Sequence, residues 1–320
     1  LETKVRSLHL CDVDHDGKTE VIVGTEGGVL HVLDAQGSER WRQACPYRPG
    51  PITAIATASL AGDGTTQILA GSQGYVLYAF ENDGRLRWYN MIDIPWGGVA
   101  AIVAQDLDGD GKPEIFIGTG ADHGDVLLSG EGRKRWRLSG TTKIALTTDL
   151  AGDRKEQIIV GGPMQAGPLR SIDSSNGSVV WNVGIDDDVK AIIPLRETDE
   201  GKSELLVGYA ASGLWRVDSS GGKWRIRSFP SLVNTVIPLA NGWSAAPEFA
   251  VGCEDGSVFV VDETGTIRAS LAAGRPVTAI RSFQDGGKTC LFVATRGGAA
   301  TAMELTGKAS SYPRAGPPLP

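Results

Sequence analysis

The sequence lacks the features that identify membrane proteins and nucleic-acid-binding proteins. No apolar run approaches the roughly 20 residues that a membrane-spanning helix needs. The formal net charge is −7, whereas a nucleic-acid-binding protein is expected to carry a basic excess or a basic face. We therefore expect no transmembrane segment and no nucleic-acid partner.

Cysteine and histidine are also scarce, and their spacing argues against a site built from them. The four cysteines, Cys11, Cys45, Cys253 and Cys290, lie far apart and lack the short spacing of metal ligands. We interpret them as small buried hydrophobic residues rather than as disulfides, and they leave the redox compartment open. The histidines fall at unrelated positions of the repeat described below, so no histidine metal cluster is predicted.

Glycine, by contrast, is abundant, with 43 of the 320 residues against roughly 7% in an average protein. Many tight turns explain this excess, because glycine reaches positive φ without a steric penalty. The turns recur with a period of about 45 residues, which is the range of a propeller blade. In each period a mostly polar residue opens a short apolar strand, and a glycine or alanine stands four residues later. These marker residues are Glu20, Gln67, Glu114, Gln157, Glu204, Glu248 and Cys290.

Each period is consistent with four short strands separated by turns, and seven periods follow one another. The apolar second strand is continuous between turn signals, which is typical of a strand buried on both faces. We therefore predict an all-β fold, a seven-bladed β-propeller of four-stranded antiparallel blades. A single domain is expected over residues 1–312, followed by a proline-rich tail or linker over residues 313–320. The blades are expected to begin near residues 5, 52, 99, 142, 189, 232 and 276.

A tryptophan stands four residues after a turn glycine in each of the first four periods. These residues are Trp41, Trp88, Trp136 and Trp181, and in the fifth period the spacing to Trp224 is shortened by one residue. A large side chain at one fixed place in each blade predicts a packing role, in which the ring wedges between neighbouring blades.

Two loops between the first and second strands are rich in carboxylates. In the first period Asp12, Asp14 and Asp16 alternate, and Glu20 follows at the start of the next strand. Such carboxylates repel one another unless a cation lies between them, and calcium accepts about six to eight oxygen ligands in flexible geometry. We predict a Ca²⁺ site formed by these side chains and by a backbone carbonyl near Lys18. The third period repeats the pattern with Asp106, Asp108, Asp110, Lys112 and Glu114.

These loops differ from EF-hands, and the pattern is incomplete in the other periods. Val23 stands where an EF-hand needs its glutamate, and a strand rather than a helix follows the loop. The fourth period keeps only Asp149 and Asp153, with Ala151 between them, which predicts at most a weak site. A solvated acidic turn without metal is the alternative interpretation of the two full loops.

The two Asp-x-Asp-x-Asp-Gly-x-x-Glu loops, each followed by three apolar residues and a glycine, resemble the FG-GAP/VCBS repeat family. The resemblance covers nearly the whole chain, and it implies calcium binding at the aspartates and glutamates of both loops. It also implies an extracytoplasmic location, secreted, periplasmic or at the cell surface, where calcium is abundant. The Gly-x-x-x-Trp element is similar to the pyrroloquinoline-quinone-type propeller repeat, although the cofactor motifs of that family are missing here.

Ligand-binding residues are expected in the loops on the opposite side of the blades from the acidic loops. Aromatic and polar residues gather there, and exposed aromatic side chains beside hydrogen-bonding groups suit a sugar or a protein partner. The candidates are Tyr47, Trp96, His123, Tyr209 and Arg296.

The favoured functional hypothesis is a non-catalytic, calcium-stabilised binding or scaffolding propeller that recognises a protein or glycan ligand. One alternative is a calcium-dependent polysaccharide lyase or hydrolase, for which His123, Tyr209 and Arg296 are the candidate groups. Another is an architectural subunit of a larger assembly. The chain begins with Leu1, and we expect it to be part of a larger multidomain chain or complex.

Overall fold

The computed structural model describes residues 3–92, 98–120, 124–163, 169–185, 187–195, 202–239, 247–286 and 288–305. Within these ranges the chain forms β-strands and no helix, so none of the described residues belongs to a helix that could cross a membrane. The chain divides into two compact units, residues 1–186 and residues 187–320. The expectation of a single domain over residues 1–312 stays a prediction.

The first unit contains four antiparallel sheets of four strands, in which strands that follow one another in the sequence are neighbours. Sheet 1 contains β1 (Val5–Cys11), β2 (Glu20–Thr25), β3 (Val29–Leu33) and β4 (Glu39–Ala44). Sheet 2 contains β5 (Ile52–Ala58), β6 (Gln67–Ser72), β7 (Val76–Glu81) and β8 (Leu86–Met91). Sheet 3 contains β9 (Val99–Gln105), β10 (Glu114–Thr119), β11 (Asp125–Leu128) and β12 (Lys134–Leu138). Sheet 4 contains β13 (Ile144–Thr148), β14 (Gln157–Gly161), β15 (Leu169–Asp173) and β16 (Val179–Val183).

The second unit contains three further antiparallel sheets with the same order of strands. Sheet 5 contains β17 (Val189–Pro194), β18 (Leu205–Tyr209), β19 (Gly213–Val217) and β20 (Lys223–Arg227). Sheet 6 contains β21 (Val233–Pro238), β22 (Glu248–Cys253), β23 (Ser257–Asp262) and β24 (Ile267–Ala272). Sheet 7 has three strands among the described residues, namely β25 (Val277–Asp285), β26 (Lys288–Thr295) and β27 (Ala300–Glu304). The fourth strand that the repeat predicts for the seventh period would follow residue 305 and lies outside the described residues.

The strands of a sheet differ in burial, and the second strand is far more buried than the fourth. Every residue of β6 and of β10 is buried, as predicted for an apolar run with neighbours on both faces. The fourth strands are mostly exposed, and β8 alternates between exposed and half-buried residues over most of its length. Each sheet begins within two residues of the predicted position, because the turn signals that set the period are local in the sequence.

The small residue that ends the second strand is required by the neighbouring sheet. A Cβ atom at Gly71 would lie 2.3 Å from Cγ1 of Val99, in the first strand of sheet 3. A Cβ atom at Gly252 would lie 2.5 Å from Cγ1 of Val277, in the first strand of sheet 7. Successive sheets therefore pack so closely at these points that no side chain fits between them.

The tryptophans of the first three sheets pack between neighbouring sheets, as predicted. The Trp41 ring lies on Gly84 of sheet 2, where a Cβ atom would come within 2.9 Å of it. The Trp136 ring lies in the same way on Gly177 of sheet 4, and its Nε1–H donates to the carbonyl of Ser174 at 2.9 Å. The tryptophan ring of one sheet thus packs on the turn glycine of the following sheet.

Sheet 5 departs from this arrangement. The Trp224 ring is 41% exposed, and the Arg216 guanidinium lies 6.0 Å from its centroid. The contact with the following sheet is made by Arg227, whose Nε–H donates to the carbonyl of Gly265 at 2.6 Å. The pairing of the third and fourth strands contains a register shift in both sheets. In sheet 5 this shift lies away from the turn that joins the two strands, whereas in sheet 1 it lies next to that turn. The tryptophan of sheet 5 therefore contacts a different neighbour.

The cysteines form no disulfide, and the predicted burial holds for three of the four, since Cys11 is only partly buried. All four are free thiols, and Cys45, Cys253 and Cys290 are buried. Burial raises the pKa of Cys45 and of Cys253 to about 12. These thiols are therefore protonated at neutral pH and unreactive.

Candidate functional site

The first acidic loop, between β1 and β2, is closed by hydrogen bonds from its own backbone. The Asp12 carboxylate accepts the backbone N–H of Asp16 at 3.1 Å and that of Gly17 at 2.8 Å. Glu20 opens β2 with 2% of its surface exposed and accepts the backbone N–H of Val13 at 3.0 Å. The loop therefore folds back on itself, with Asp12 and Glu20 each held by backbone N–H groups.

The second acidic loop, between β9 and β10, has the same construction. The Asp106 carboxylate accepts the backbone N–H groups of Gly109 and Gly111 at 2.8 and 2.9 Å. Glu114 is 1% exposed and accepts the backbone N–H of Leu107 at 3.0 Å. Identical spacing in the sequence thus produces the same local geometry in two sheets.

Three of the four predicted acidic ligands converge in each loop. Asp12, Asp14 and Glu20 have carboxylate oxygens within 4.8 Å of one another, and Asp106, Asp108 and Glu114 form an equivalent group. The third aspartate of each loop lies outside its group. Asp16 accepts the backbone N–H of Lys18 at 2.8 Å, and Asp110 accepts that of Lys112 at 2.8 Å.

An arginine from the fourth strand also enters each group, which the sequence analysis did not foresee. Arg40 of β4 pairs with Asp14 and donates to Glu20 at 2.8 Å. In sheet 3 the corresponding Arg135 of β12 donates to Asp108 at 2.6 Å and to Glu114 at 2.8 Å. The available signal was an arginine directly before the repeated tryptophan.

The arginines change the electrostatics of the two groups. The Arg40 guanidinium lowers the pKa of the Asp14 carboxyl, and the Arg135 guanidinium lowers that of Asp108. Burial raises the pKa of Glu114, because the low local dielectric disfavours its charged form. One guanidinium charge against three carboxylates leaves each group with a net negative charge.

The remaining charge and the donor atoms fit a hard divalent cation. Oxygen ligands, several of them carboxylates, are what calcium binds. In sheet 1 the Oδ1 atom of Asp14 is buried and has no hydrogen-bond partner, so this oxygen is available to an ion. The Oδ2 atom of Asp14 and the Oε1 atom of Glu20 are engaged by Arg40, so an ion would share these ligands with the guanidinium.

The corresponding loop of sheet 2 has the same hydrogen bonds with largely neutral residues. The Gln67 amide oxygen accepts the backbone N–H of Leu60 at 2.8 Å, in the place of Glu20 and Glu114. The Ser59 hydroxyl accepts the backbone N–H of Gly64 at 2.9 Å. This loop conformation therefore does not require three carboxylates.

The loop of sheet 4 is intermediate between these cases. Asp149 accepts the backbone N–H groups of Gly152 and Arg154 at 2.8 and 2.6 Å, and Asp153 accepts that of Lys155 at 3.1 Å. Among the described residues, Asp149 and Asp153 belong to no group of three converging metal-ligating side chains. The weak site suggested for this pair stays a prediction.

Two clefts lie on either side of the acidic loop of sheet 3. The cleft between sheets 2 and 3 has a volume of about 420 Å³, and five basic and three acidic side chains line it. The cleft between sheets 3 and 4 has a volume of about 520 Å³, with two basic and five acidic side chains. Glu114 and Arg135 line both clefts. Neither cleft was expected from the sequence to bind a ligand.

The predicted ligand residues have different environments. Tyr47 is 46% exposed and stacks on Tyr89 with the ring centroids 4.1 Å apart. Tyr209 is fully buried, so the expectation that its ring is exposed is wrong. It lies at the end of β18 and packs edge-to-face with Trp215, because the apolar second strand extends to this position. Arg296 pairs with Glu254 at 2.8 Å.

The two other predicted ligand residues, Trp96 and His123, lie outside the described residues. The ligand-binding roles of Tyr47 and Arg296 stay predictions. Tyr89, which stacks with Tyr47, was not identified from the sequence because a tyrosine on an outer strand carries no specific signal.

Comparison with known proteins relates the chain to propellers. The FG-GAP-like repeat family model matches residues 60–117, which run from the neutral loop of sheet 2 into the second strand of sheet 3. No curated protein matches the chain.

Solved structures match over nearly the whole chain. The chain resembles BBS1N, crystallised in complex with ARL6DN and soaked with mercury, at 16% identity and a TM-score of 0.67, covering 96% of this chain and 93% of that chain. The lead-soaked crystal of the same complex gives 15% identity, a TM-score of 0.65, and coverage of 95% and 92%. BamB from Moraxella catarrhalis gives 15% identity, a TM-score of 0.56, and coverage of 93% and 83%. At these identities the likeness establishes the fold and nothing more.

The repeat period, the seven successive antiparallel sheets and these similarities agree. The chain is a seven-bladed β-propeller that carries an FG-GAP-like repeat.

Proposed function

We propose that this chain is a non-catalytic, calcium-stabilised propeller that binds a protein partner. The observation that carries the proposal is the similarity over 96% of the chain to BBS1N, which was crystallised in complex with ARL6DN. A propeller scaffold hosts many functions. The similarity therefore supports the binding of a protein and does not identify the partner.

The arrangement of the predicted catalytic groups does not favour a lyase or hydrolase. Tyr209 is fully buried and the guanidinium of Arg296 is paired with Glu254. A general base must reach the substrate, which the buried hydroxyl of Tyr209 cannot do, and Arg296, a cation that is 65% exposed, supplies no base. We therefore propose a protein rather than a polysaccharide as the ligand.

The calcium part of the proposal concerns the two acidic loops. In sheet 1 the converging Asp12, Asp14 and Glu20 would hold the ion, and Asp16 and a carbonyl near Lys18 would have to move towards it to join them. In sheet 3 the corresponding ligands would be Asp106, Asp108 and Glu114, with Asp110 and a carbonyl near Lys112 in the same position as Asp16 and Lys18. The net negative charge of each carboxylate group and the free Oδ1 atom of Asp14 support this assignment. Bound calcium would stabilise the loops by relieving carboxylate repulsion.

An extracytoplasmic location is the consequence that the proposed calcium binding would have. Sites that use one carboxylate-rich loop and share ligands with an arginine are expected to be weak, and weak calcium sites are filled where calcium is abundant.

Isothermal titration of the calcium-free chain with CaCl₂ tests the metal assignment. We expect two sites per chain, and thermal unfolding should move to higher temperature with calcium and return with a chelator. Absence of both binding heat and a thermal shift at millimolar calcium would show that arginine alone neutralises these loops.

Affinity purification with the immobilised chain, followed by titration of each recovered protein against the free chain, tests the binding function. We expect a partner that forms a stoichiometric complex. Calcium-dependent cleavage of a purified polysaccharide by the chain, with no protein bound, would instead establish the enzymatic alternative.

A further inference from the structure

We propose that the basic cleft, the cleft between sheets 2 and 3, is the docking site for an acidic peptide segment of the protein partner. This inference rests on the proposed protein-binding function and adds the surface and the chemistry of the segment. The cleft lies between the neutral loop of sheet 2 and the outer strand of sheet 3.

The walls of the basic cleft combine an apolar part with a row of cations. Leu60 and Ala61, from the loop of sheet 2, line the apolar side, where Ala61 is half-buried and Leu60 is only 2% exposed. Three consecutive basic residues, Arg133, Lys134 and Arg135, form the opposite wall. A volume of about 420 Å³ is within the range of sites that enclose small ligands or a few side chains.

Two of the cations in the basic cleft are not engaged by an acidic residue. Lys112 and Lys134 form no ion pair with any described residue. Arg133 is 83% exposed and pairs with Glu131 at 3.4 Å, and such a surface pair is readily exchanged. These three side chains are therefore available to a partner.

The two other basic side chains of the cleft are held in ion pairs, and its acidic side chains are few. Arg87 pairs with Glu81 at 2.9 Å, and Arg135 is held by the acidic loop. Among the acidic residues, Glu114 is buried behind Arg135, while Glu131 and Asp110 are exposed. Lys112 and Lys134 outnumber Asp110 among the charged side chains of the cleft that form no ion pair with a described residue, so the net unpaired charge is positive.

The positive charge of the basic cleft contrasts with the negative net charge of the chain and with the acidic lining of the neighbouring cleft. The chain carries a net charge of −7, and the neighbouring cleft between sheets 3 and 4 is lined mainly by acidic side chains. In sheet 1 the lysine equivalent to Lys112 is Lys18, and it pairs with Asp16 at 3.1 Å. The position of Lys134 is occupied there by the acidic Glu39. Complementary charge would direct an acidic segment to this cleft rather than to its counterparts.

The structure favours a polypeptide over a nucleic acid as the source of the negative charge. β12 is an edge strand of sheet 3, so its outer backbone groups can pair with an extended peptide. A nucleic acid instead needs many cations along its backbone, and the net charge of the chain opposes such a polyanion.

Fluorescence anisotropy with a labelled peptide of alternating glutamate and valine tests the proposal. The titration is performed with the whole chain in a chelator at low salt, so that calcium does not contribute. We expect Lys112→Glu/Lys134→Glu to weaken binding about tenfold or more, because two attractive charges become repulsive. The matched control is Arg6→Glu/Arg42→Glu in sheet 1, which makes the same change in net charge at side chains that are 41% and 69% exposed and lie outside the acidic loops.

The control variant should bind within about twofold of the unaltered chain, and thermal unfolding should show that both variants are folded at the temperature of the titration. Equal loss of binding in the two variants would show that only net charge matters and would overturn the proposal. Tighter binding of a single-stranded oligonucleotide than of the peptide, lost in the Lys112→Glu/Lys134→Glu variant, would overturn the peptide assignment.

The protein recovered by affinity purification gives a second, separate readout. We expect its binding to fall in the cleft variant and to persist in the control. If it binds both variants as well as the unaltered chain, the cleft proposal fails while the protein-binding function stands.

Discussion

The acidic loops of sheets 1 and 3 and the largely neutral loop of sheet 2, which keeps only Asp63, form the same hydrogen bonds with different side chains. In each loop the first residue of the second strand accepts a backbone N–H from the loop, whether it is Glu20, Gln67 or Glu114. The conformation therefore depends on hydrogen bonds that an amide and a hydroxyl supply as well as carboxylates do.

What the acidic residues add is charge, and the molecule compensates that charge. Arg40 and Arg135 are directed to the loop carboxylates, whereas the equivalent Arg87 of sheet 2 pairs with Glu81 at the end of β7. The same arginine position in the repeat thus has different partners, according to where the negative charge lies. The comparison separates the residues that shape the loop from those that prepare it for a cation.

Removal of the arginine in sheet 3 should have the largest effect. In a chelator Arg135→Ala is expected to lower the free energy of unfolding by about 2 kcal/mol, because it leaves the buried Glu114 carboxylate without its charged partner. The matched variant Arg87→Ala in sheet 2 loses a more exposed pair and should cost less than about 1 kcal/mol. Urea unfolding of both variants measures the difference.

Calcium should restore more stability to Arg135→Ala than to the unaltered chain, since the guanidinium no longer shares the carboxylates. Equal losses for Arg135→Ala and Arg87→Ala would mean that the acidic loop gains nothing from its arginine.

Transfer of the acidic residues to sheet 2 should create a third calcium site. The variant Ser59→Asp/Ala61→Asp/Gln67→Glu places carboxylates at the positions of Asp106, Asp108 and Glu114. Calcium titration should then give one additional site, and stability in a chelator should fall by about 1 kcal/mol because the new charges repel. An unchanged number of sites in a folded variant would show that the loop sequence alone does not define the site.

Replacement of the buried glutamate by the residue found in sheet 2 should have a smaller effect. Glu114→Gln keeps an oxygen for the Leu107 N–H, as Gln67 does for Leu60, and removes a charge that burial disfavours. We expect stability in a chelator to rise by less than about 1 kcal/mol, and calcium titration to lose one site. Glu20→Gln in sheet 1 is the matched variant, and the two should lose different sites.

The pH dependence of the Glu114→Gln variant should show the smallest effect. Because burial raises the folded-state pKa of Glu114 above its ordinary value of 4.5, the folded chain takes up a proton before the unfolded chain does. As the pH falls through that raised pKa towards 4.5, the unaltered chain should gain stability relative to the variant. The advantage of Glu114→Gln should therefore shrink between neutral pH and pH 4.5 in urea unfolding.

The stability contributed by Asp14 and Asp108 changes with pH in the opposite direction. Arginine lowers the pKa of both carboxyls, so their contribution is present above the ordinary value of 3.8 and is lost as the pH falls through the lowered values. The window between neutral pH and pH 4.5 therefore isolates the behaviour of Glu114. A constant difference between variant and unaltered chain in that window would contradict the assigned burial effect.

Most of the fold could be predicted from the sequence, because its signals are local. Turn glycines and short apolar runs determine where each strand begins, and the first strands start within two residues of the expected positions. The construction of the acidic loops was also predictable in part, since Asp12 and Glu20 act on residues within the same loop. The buried position of Tyr209 was not, because its exposure depends on the extent of β18 and on its packing with Trp215.

The sequence by itself determined the number and the order of the repeats, the strands within them and the two carboxylate-rich turns, because each depends on neighbouring residues. The tertiary structure decided which charges meet. Arg40 and Arg135 reach their carboxylates across a sheet, and the basic cleft combines a loop of sheet 2 with a strand of sheet 3. Such contacts join residues that are distant in the chain, and they arise only when packing brings separate strands together.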